Sequence, residues 1–290
     1  MAIRKPPVTL FDIFNVFIMI LVFVMMVYPF WYVICYSLSD PSQTGGGLIL
    51  WPRGMNADAY VQCFRNQDIL NGFVISIART IIGPFAMLLV SSMLAYVLTK
   101  NDLLGIKKIR KFCLFSMYLS GGLLPTYMVI NSLRLTNSFW VYIIPGMTNV
   151  FFILLIRAYI ESIPAGLEES ALLDGAGYFK IYLKIITPLC MPVLAAVLLY
   201  SAVGQWNAYV DTQLYNYRNP GLYPLQYILY NYMVSYTPTK QSLTTRNGRI
   251  VQPQTLKMAI TVITSVPIVM LYPFLQKYFV SGLLVGAVKA

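Results

Sequence analysis

The sequence predicts an all-α, polytopic membrane protein with six transmembrane helices, and three observations support that fold class. Of the 290 residues, 58% are hydrophobic and 11% are charged, whereas soluble domains carry about 25% charged residues. Six charge-free stretches are long enough to cross a bilayer, which takes roughly 20 apolar residues per helix. All six are rich in Leu, Ile, Val, Phe and Met. They are residues 13–39, 80–99, 112–133, 135–156, 185–210 and 258–276.

The distribution of Lys and Arg predicts how these spans are oriented. Loop 100–111 carries five basic residues, namely Lys100, Lys107, Lys108, Arg110 and Lys111. Loop 131–137 carries only Arg134. Because basic residues in short loops mark the cytoplasmic side, loop 100–111 is expected to be cytoplasmic. Six spans then place both termini in the cytoplasm and the long loops, about 40–70 and 211–257, outside.

A seventh charge-free stretch, residues 219–239, is long enough to span a membrane but contains three prolines and five tyrosines. Prolines within so short a stretch oppose a continuous helix. We expect a partly buried or interfacial loop with a short helix near 224–235. An ordinary loop outside the membrane is the alternative. No second domain is indicated, so residues 1–290 are expected to form a single transmembrane domain.

Three absences restrict the chemistry. The chain has no histidine, which excludes His-based acid–base catalysis and histidine-ligated metals. Its four cysteines, at positions 35, 63, 113 and 190, form no C-x-x-C motif, so neither a zinc site nor a disulfide framework is expected. The sequence also lacks a G-x-x-x-x-G-K-[ST] phosphate-binding loop. We predict no catalytic residue, metal ligand or bound cofactor in this chain, and no nucleic-acid partner.

The sequence pattern from about residue 164 to residue 186 predicts a helix–turn–helix on the cytoplasmic side. Pro164 suits the first turn of a helix, and Glu168 and Glu169 complement the positive end of its dipole. Asp174 and Gly175 then form a turn signal. Such an element is stiff enough to pass on motion from a docked partner, although an ordinary amphipathic hairpin at the membrane surface is the alternative.

The second helix of this element is expected to lead directly into the fifth span. Its spacing places Phe179, Leu183 and Ile186 on one apolar face, and Lys180 and Lys184 on another.

The same segment resembles a known family signature. Residues 169–171 read Glu-Ser-Ala, Gly175 follows after three further residues, and residues 185–188 read Ile-Ile-Thr-Pro. This is similar to the EAA signature of bacterial ABC-importer permeases, Glu-Ala-Ala-x-x-x-Gly, then nine residues, then Ile-x-Leu-Pro. Ser170 and Thr187 depart from that pattern, but the spacing is intact. Runs 121–127 and 205–207 and residues 272–289 also resemble the MalG-like, LplC-type subgroup, which serves oligosaccharide importers, some of them for alginate or pectic fragments.

The resemblance implies a type I ABC importer permease fold (MetI-like) and a non-catalytic subunit of the bacterial inner membrane. The implied partners are a second, MalF-like permease, two ATPase subunits that bind ATP and Mg, an extracytoplasmic solute-binding protein, an oligosaccharide and membrane lipid. The implied ATPase-coupling residues are Glu168, Glu169, Ser170, Ala171, Asp174, Gly175, Ala176 and Phe179.

A substrate path is also expected, because aromatic rings and amide groups suit the apolar faces and hydroxyls of sugars. The candidates are Arg79, Tyr127, Trp206, Asn207, Tyr209, Tyr227 and Tyr230. The second span is expected to begin near Gly72, which places Arg79 inside a helix, where a charge is costly unless it is paired or faces water. Arg79 is expected either to meet a carboxylate of an acidic sugar or to extend to the outer interface.

Two other function classes remain to be weighed. An intramembrane enzyme would need ionisable residues or a nucleophile–base pair within its spans, and these spans contain essentially no carboxylates and no histidine. An autonomous channel or secondary carrier would be expected to have broken, paired half-helices or a charge relay. The sequence indicates neither feature.

Overall fold

The computed structural model describes residues 9–44, 47–119, 121–234, 243–244 and 250–282. Within these ranges the chain is almost entirely helical, with one two-stranded antiparallel pair, β1 (Leu243–Thr244) and β2 (Ile250–Val251). The α-helices are α1 (Leu10–Ser37), α2 (Asp58–Arg65), α3 (Gln67–Thr99), α4 (Ile106–Tyr118), α5 (Leu123–Ser132), α6 (Val150–Glu161), α7 (Gly166–Leu173), α8 (Tyr178–Ile181), α9 (Thr187–Leu189), α10 (Met191–Asn207), α11 (Leu225–Val234) and α12 (Pro253–Gly282).

Short turns of other helix types connect these elements. Two π-helical turns lie at Tyr182–Ile186 and Thr212–Asn216. The 3₁₀ turns are Pro41–Gln43, Phe139–Tyr142, Ile144–Gly146 and Pro220–Leu222. The short helix predicted near 224–235 is confirmed as α11. The second span begins at Gln67 rather than near Gly72, so Arg79 lies deeper in its helix than expected.

The apolar helices of the described residues can form up to six spans. Three helices, α1, α3 and the part of α12 up to Leu271, are each long and apolar enough to cross a membrane. Three bent pairs complete the set if each pair is one span: α4 with α5, Phe139–Gly146 with α6, and Tyr178–Leu189 with α10. The predicted six-helix organisation therefore agrees with the length and composition of these elements.

The bends correct one expectation, because broken helices are present although the sequence indicated none. The pairs bend by 118°, 45° and 80° in chain order. The third bend falls at Cys190, between Pro188 and Pro192, and proline removes the backbone donor that a continuous helix needs. The first lies next to Gly122, whose φ of 80° is incompatible with a continuing helix.

The chain divides into two compact units, one of residues 1–66 and 231–265 and one of residues 67–230 and 266–290. In the first unit, the start of α1 is closed by a capping box, in which Thr9 and Asp12 satisfy each other's backbone N–H groups. Near the other end of α1, the indole of Trp31 donates to the carbonyl of Leu50 at 2.9 Å. The apolar side chains along the middle of α1 are exposed, as expected of a helix that faces lipid or another subunit.

The second unit is organised around α3, a helix of 33 residues that packs against α10 and α6. One continuous apolar cluster joins these three helices to the segment that follows α6. From α3 it includes Met87, Ala95 and Leu98, and from the later segment it includes Ala171 and Ile181. The predicted cytoplasmic helix–turn–helix is therefore packed against the membrane helices and shares their core.

The apolar face predicted for the second helix of that element is wrong. Ile181 and Ile186 are buried, whereas Phe179 and Leu183 are mostly exposed. The reason is the π-helical turn Tyr182–Ile186, which inserts an extra residue into the helix and brings positions five apart onto one face. Phe179 is consequently available at the surface of the protein.

Candidate functional site

The candidate coupling element is the α7–α8 hairpin, defined here as residues 166–181. Helix α7 begins after Ala165, so Pro164 precedes the helix and does not occupy its first turn as predicted. The hairpin turn is a Schellman motif: the N–H of Gly175 donates to the carbonyl of Leu172 at 3.0 Å, and that of Ala176 to the carbonyl of Ala171 at 2.9 Å. Gly175 has φ 76°, a left-handed conformation that any residue with a Cβ disfavours.

One face of the hairpin is fixed to the rest of the second unit. Ala171 is buried in the apolar cluster of α3, α6 and α10, and Ala176 packs against the same cluster. Glu168 also points inwards, where its carboxylate accepts a hydrogen bond from the hydroxyl of Tyr96 at 2.9 Å and forms an ion pair with Lys100. Tyr96 lies in the last turn of α3, and Lys100 follows the helix directly.

The other face of the hairpin is exposed and combines acidic with apolar side chains. Of the residues that the resemblance implies, Glu169, Ser170, Asp174, Gly175 and Phe179 lie here. The Ser170 hydroxyl donates back to the carbonyl of Gly166 at 2.7 Å and so serves its own helix. Leu173, whose side chain is 89% exposed at the turn, was not among the predicted residues. The sequence signal that could have identified Leu173 is a large apolar side chain close to a glycine turn.

The predicted coupling residues thus fall into two groups with different surroundings. Glu168, Ala171 and Ala176 face the protein, and the remaining five face outwards. The neighbouring acids Glu168 and Glu169 have different surroundings because successive side chains of an α-helix are about 100° apart around its axis. Lys100 and Tyr96 are functional candidates that were not predicted from the sequence. Lys100 was used there only as one of the basic residues that orient the spans.

Arg79 lies inside α3 and is 1% exposed. It forms an ion pair with Asp211, and its Nε and Nη2 donate to Oε1 of Gln205 at 3.0 and 2.9 Å. A further bond, 3.2 Å long, runs from Nη1 to the carbonyl of Ala208, just past the end of α10. The guanidinium also lies over the ring of Tyr142, 4.2 Å from its centroid.

This arrangement corrects the expectation that Arg79 extends to the outer interface. Helix α10 ends before Ala208, whose backbone is extended, and the segment that follows brings the carboxylate of Asp211 to a charge that would otherwise be buried alone. Asp211 was expected in an outward loop, and no pairing of the two residues was predicted. Each nitrogen of the Arg79 guanidinium thus has a protein acceptor.

Three of the predicted path tyrosines lie together in one stacked column. Tyr209 stacks on Tyr230 with 4.7 Å between ring centroids, and Tyr230 stacks on Tyr227 at 6.2 Å. Tyr223 extends the column with an edge contact to Tyr227 at 4.7 Å. The column joins α11 to the segment after α10. Tyr227 is buried, whereas Tyr209 and Tyr230 are partly exposed.

The other predicted path residues have different neighbours. Tyr127, in α5, stacks on Tyr215 with 5.9 Å between centroids. Trp206 is buried, with its ring edge-on to Phe73 of α3 at 6.1 Å. Asn207, the last residue of α10, is exposed. Among the described residues, no group of three or more Cys, Asp or Glu is placed to hold a metal ion.

The possible spans and the packed α7–α8 hairpin are those of a helical membrane protein. The chain belongs to the family described as binding-protein-dependent transport system inner membrane component, whose profile matches residues 4–285. It is accordingly the permease subunit of an ABC importer, a non-catalytic component, and ATP is hydrolysed by a partner subunit.

Individual relatives are similar over nearly the whole chain. The polygalacturonan/rhamnogalacturonan transport system permease protein YtcP of Bacillus subtilis (strain 168) is 33% identical over 97% of this chain and 98% of its own length. Protein LplC of the same organism is 32% identical over 96% of this chain and 95% of its own. A chain of a bacterial ABC transporter involved in the import of the acidic polysaccharide alginate superposes with a TM-score of 0.87, at 27% identity, covering 95% of this chain and 100% of that one.

The paired state of Arg79 leads to a prediction about stability. Asp211→Asn leaves a buried guanidinium without its counter-ion, and breaking a buried pair in this way costs about 3 kcal/mol. We expect a clearly lower thermal unfolding midpoint for the purified complex in detergent. The double variant Arg79→Met with Asp211→Leu removes both charges and is expected to recover most of that loss.

A matched control is the ion pair between Arg157 and Glu161, one helical turn apart on α6, whose side chains are 20% and 45% exposed, against 1% and 25% for Arg79 and Asp211. Ion pairs one turn apart on a helix contribute only a few tenths of a kcal/mol. Glu161→Gln is therefore expected to leave the midpoint unchanged. If Asp211→Asn is as harmless as Glu161→Gln, the pairing of Arg79 is not the constraint described here.

Proposed function

We propose that this permease subunit moves oligosaccharides into the bacterial cytoplasm by ATP-driven alternating access, and that the α7–α8 hairpin is the part that an ATPase subunit acts on. One observation carries the proposal: the hairpin is fixed to the membrane helices on one face and presents acidic and apolar side chains on the other. A partner that docks on the exposed face therefore acts on an element that is joined to α3, α6 and α10.

The contact surface that we propose for the ATPase consists of Glu169, Leu173, Asp174 and Phe179, arranged around Gly175. An exposed leucine and phenylalanine beside two carboxylates form a mixed surface typical of the buried centre and polar rim of protein interfaces. Ala171, Ala176 and Glu168 act beneath this surface by holding the hairpin in place.

The proposed assembly follows from the family. ABC importers of this kind combine two permeases, two ATPases and a binding protein. We propose that the second permease is MalF-like, that ATP and Mg are bound entirely by the two ATPase subunits, and that an extracytoplasmic solute-binding protein delivers the sugar. The exposed apolar surface of α1 supports contact with lipid or with the second permease.

The proposed orientation places both termini and the α7–α8 hairpin in the cytoplasm. It rests on the basic loop 100–111, which includes exposed Lys107, Lys108 and Lys111 at the start of α4. The hairpin packs against the end of α3 next to this loop, so both lie on the same side of the membrane. Loops 40–70 and 211–257 then face outwards, where part of the second contacts the binding protein.

The proposed substrates are oligosaccharides with carboxylate groups. The names of the relatives support this class, because one refers to polygalacturonan, a polymer of an acidic sugar, and the superposed transporter imports the acidic polysaccharide alginate. Within this chain, the stacked column of Tyr209, Tyr227 and Tyr230 is the proposed lining of the path, since tyrosine combines an apolar ring with a hydroxyl. The proposed path also includes exposed Asn207.

The proposed coupling role predicts the phenotype of a change at the hairpin turn. In Gly175→Val, a β-branched residue would have to adopt φ 76°, which costs of order 1–3 kcal/mol and distorts the turn. We expect normal membrane insertion, retained ATP hydrolysis and strongly reduced uptake. Uptake of labelled oligosaccharide and ATP hydrolysis, both measured in proteoliposomes with the complete transporter, test this.

Gly177→Ala is the matched control, because Gly177 lies in the same hairpin with an ordinary φ of −71° and open space around it. This variant is expected to transport like the parent protein. Normal uptake by Gly175→Val would argue against a coupling role for the turn.

An ATP requirement distinguishes an importer from an autonomous channel or secondary carrier, the function class weighed against it from the sequence. Proteoliposomes containing the complete transporter and its binding protein are expected to take up oligogalacturonate or oligoalginate only with ATP, and in preference to neutral oligosaccharides of equal length. Uptake by this chain alone without ATP would refute the importer. Equal uptake of neutral and acidic sugars would refute only the acidic substrate class.

A further inference from the structure

Lys100 lies directly after α3 and is surrounded by groups that favour a buried ammonium. It forms an ion pair with Glu168 of α7, in which the two side chains are 13% and 22% exposed. Its Nζ lies 4.1 Å from the ring centroid of Tyr96 and 5.6 Å from that of Tyr178. Cations close to aromatic faces are attracted by the ring quadrupole. One lysine therefore contacts α3, α7 and α8 together.

The lysine is held in place by its own loop. The Arg110 side chain donates to the carbonyl of Leu98 at 2.7 Å, to that of Lys100 at 3.0 Å and to the Asn101 amide oxygen at 2.9 Å. These bonds satisfy carbonyls that the end of α3 leaves without helical partners. The backbone from which the Lys100 side chain extends is thus fixed. The side chains of Lys107 and Lys108, in the same loop, are exposed.

The contacts reach both arms of the α7–α8 hairpin. Glu168 lies in the first turn of α7, and Tyr178 is the first residue of α8. The hydroxyl of Tyr178 donates to the Asp102 carboxylate at 3.3 Å, two residues after Lys100. The apolar packing of Ala171 and Ile181 against α3 is non-directional. An ion pair joined by a tyrosine hydrogen bond fixes one register.

We propose that Lys100 and Glu168 form the positioning pair through which a displacement of the α7–α8 hairpin moves α3, so that these two residues set how tightly transport is coupled to ATP hydrolysis. The inference rests on the proposed ATPase contact at this hairpin. In this proposal the two adjacent acidic residues of α7 have separate roles: Glu169 faces the ATPase, and Glu168 faces α3. Coupling between distant sites needs a continuous physical network, and this pair closes the gap between the hairpin surface and a membrane-spanning helix.

A charge exchange tests the pair. Lys100→Glu and Glu168→Lys each place two like charges together, whereas the double variant restores an ion pair with the charges reversed. In proteoliposomes with the complete transporter, we expect each single variant to raise the ATP hydrolysed per oligosaccharide imported by about threefold or more. The double variant is expected to return to within about twofold of the parent ratio, because residues in contact show non-additive effects.

The ratio is the informative readout, since a merely structural loss would lower the amount of assembled transporter and leave the ratio unchanged. Lys108→Glu is the matched control: it removes the same charge from the same loop at an exposed position and is expected to retain the parent ratio. If Lys100→Glu does not assemble, Lys100→Gln replaces it and is expected to raise the ratio in the same direction.

Two results would overturn the inference. One is a parent-like ratio in assembled Lys100→Glu or Lys100→Gln transporters, and the other is a double variant no better than the worse single variant. Co-purification of the ATPase is scored separately. If the ATPase does not bind even the parent permease, the proposed function fails; if it binds every variant and the ratio does not change, only the role of the pair fails.

Discussion

The architecture of the second unit depends on one constraint: a charge taken out of water must have a partner, and α3 places a cation at two such positions. Arg79, in the body of the helix, is neutralised by Asp211 and caps the end of α10 through Ala208. Lys100, directly after the helix, is neutralised by Glu168 of α7. Each pair joins α3 or the residue after it to a segment more than 60 residues later in the chain, and breaking either pair would leave a charge without its partner.

These connections give the hairpin its proposed function in transport. Its Schellman turn makes α7 and α8 a compact unit, and the buried Ala171 and Ile181 make that unit part of the core shared by α3, α6 and α10. The exposed face, in contrast, contains Phe179 and Leu173, which have no role in that core. The exposed surface of the hairpin, which is available for docking, and the buried residues that pack against α3, α6 and α10 therefore lie on two faces of the same hairpin. The same separation explains why adjacent glutamates can differ in function.

Much of the fold was predictable because its signals are local. Uninterrupted apolar stretches defined the spans, and the residue spacing around Gly175 was enough to indicate the hairpin. What could not be predicted were features that depend on distant partners: the pairing of Arg79 with Asp211, the pairing of Lys100 with Glu168, and the stacking of Tyr209 on Tyr230. The wrong apolar face around Phe179 had a different cause, since a periodicity of 3.6 residues fails where a π-helical turn intervenes.

If the Lys100–Glu168 pair joins them, the hairpin and the adjoining end of α3 move as one body, which a distance measurement can establish. Spin labels at Leu104→Cys, in the loop after α3, and at Leu167→Cys, in α7, occupy exposed positions; their separation would be measured in a transporter whose native cysteines are replaced. We expect the same distance distribution in the resting state and after trapping with ATP and vanadate, and a shifted distribution on trapping when Lys100 is changed to Gln. A shift in the parent protein, or no shift in either protein, would contradict this expectation.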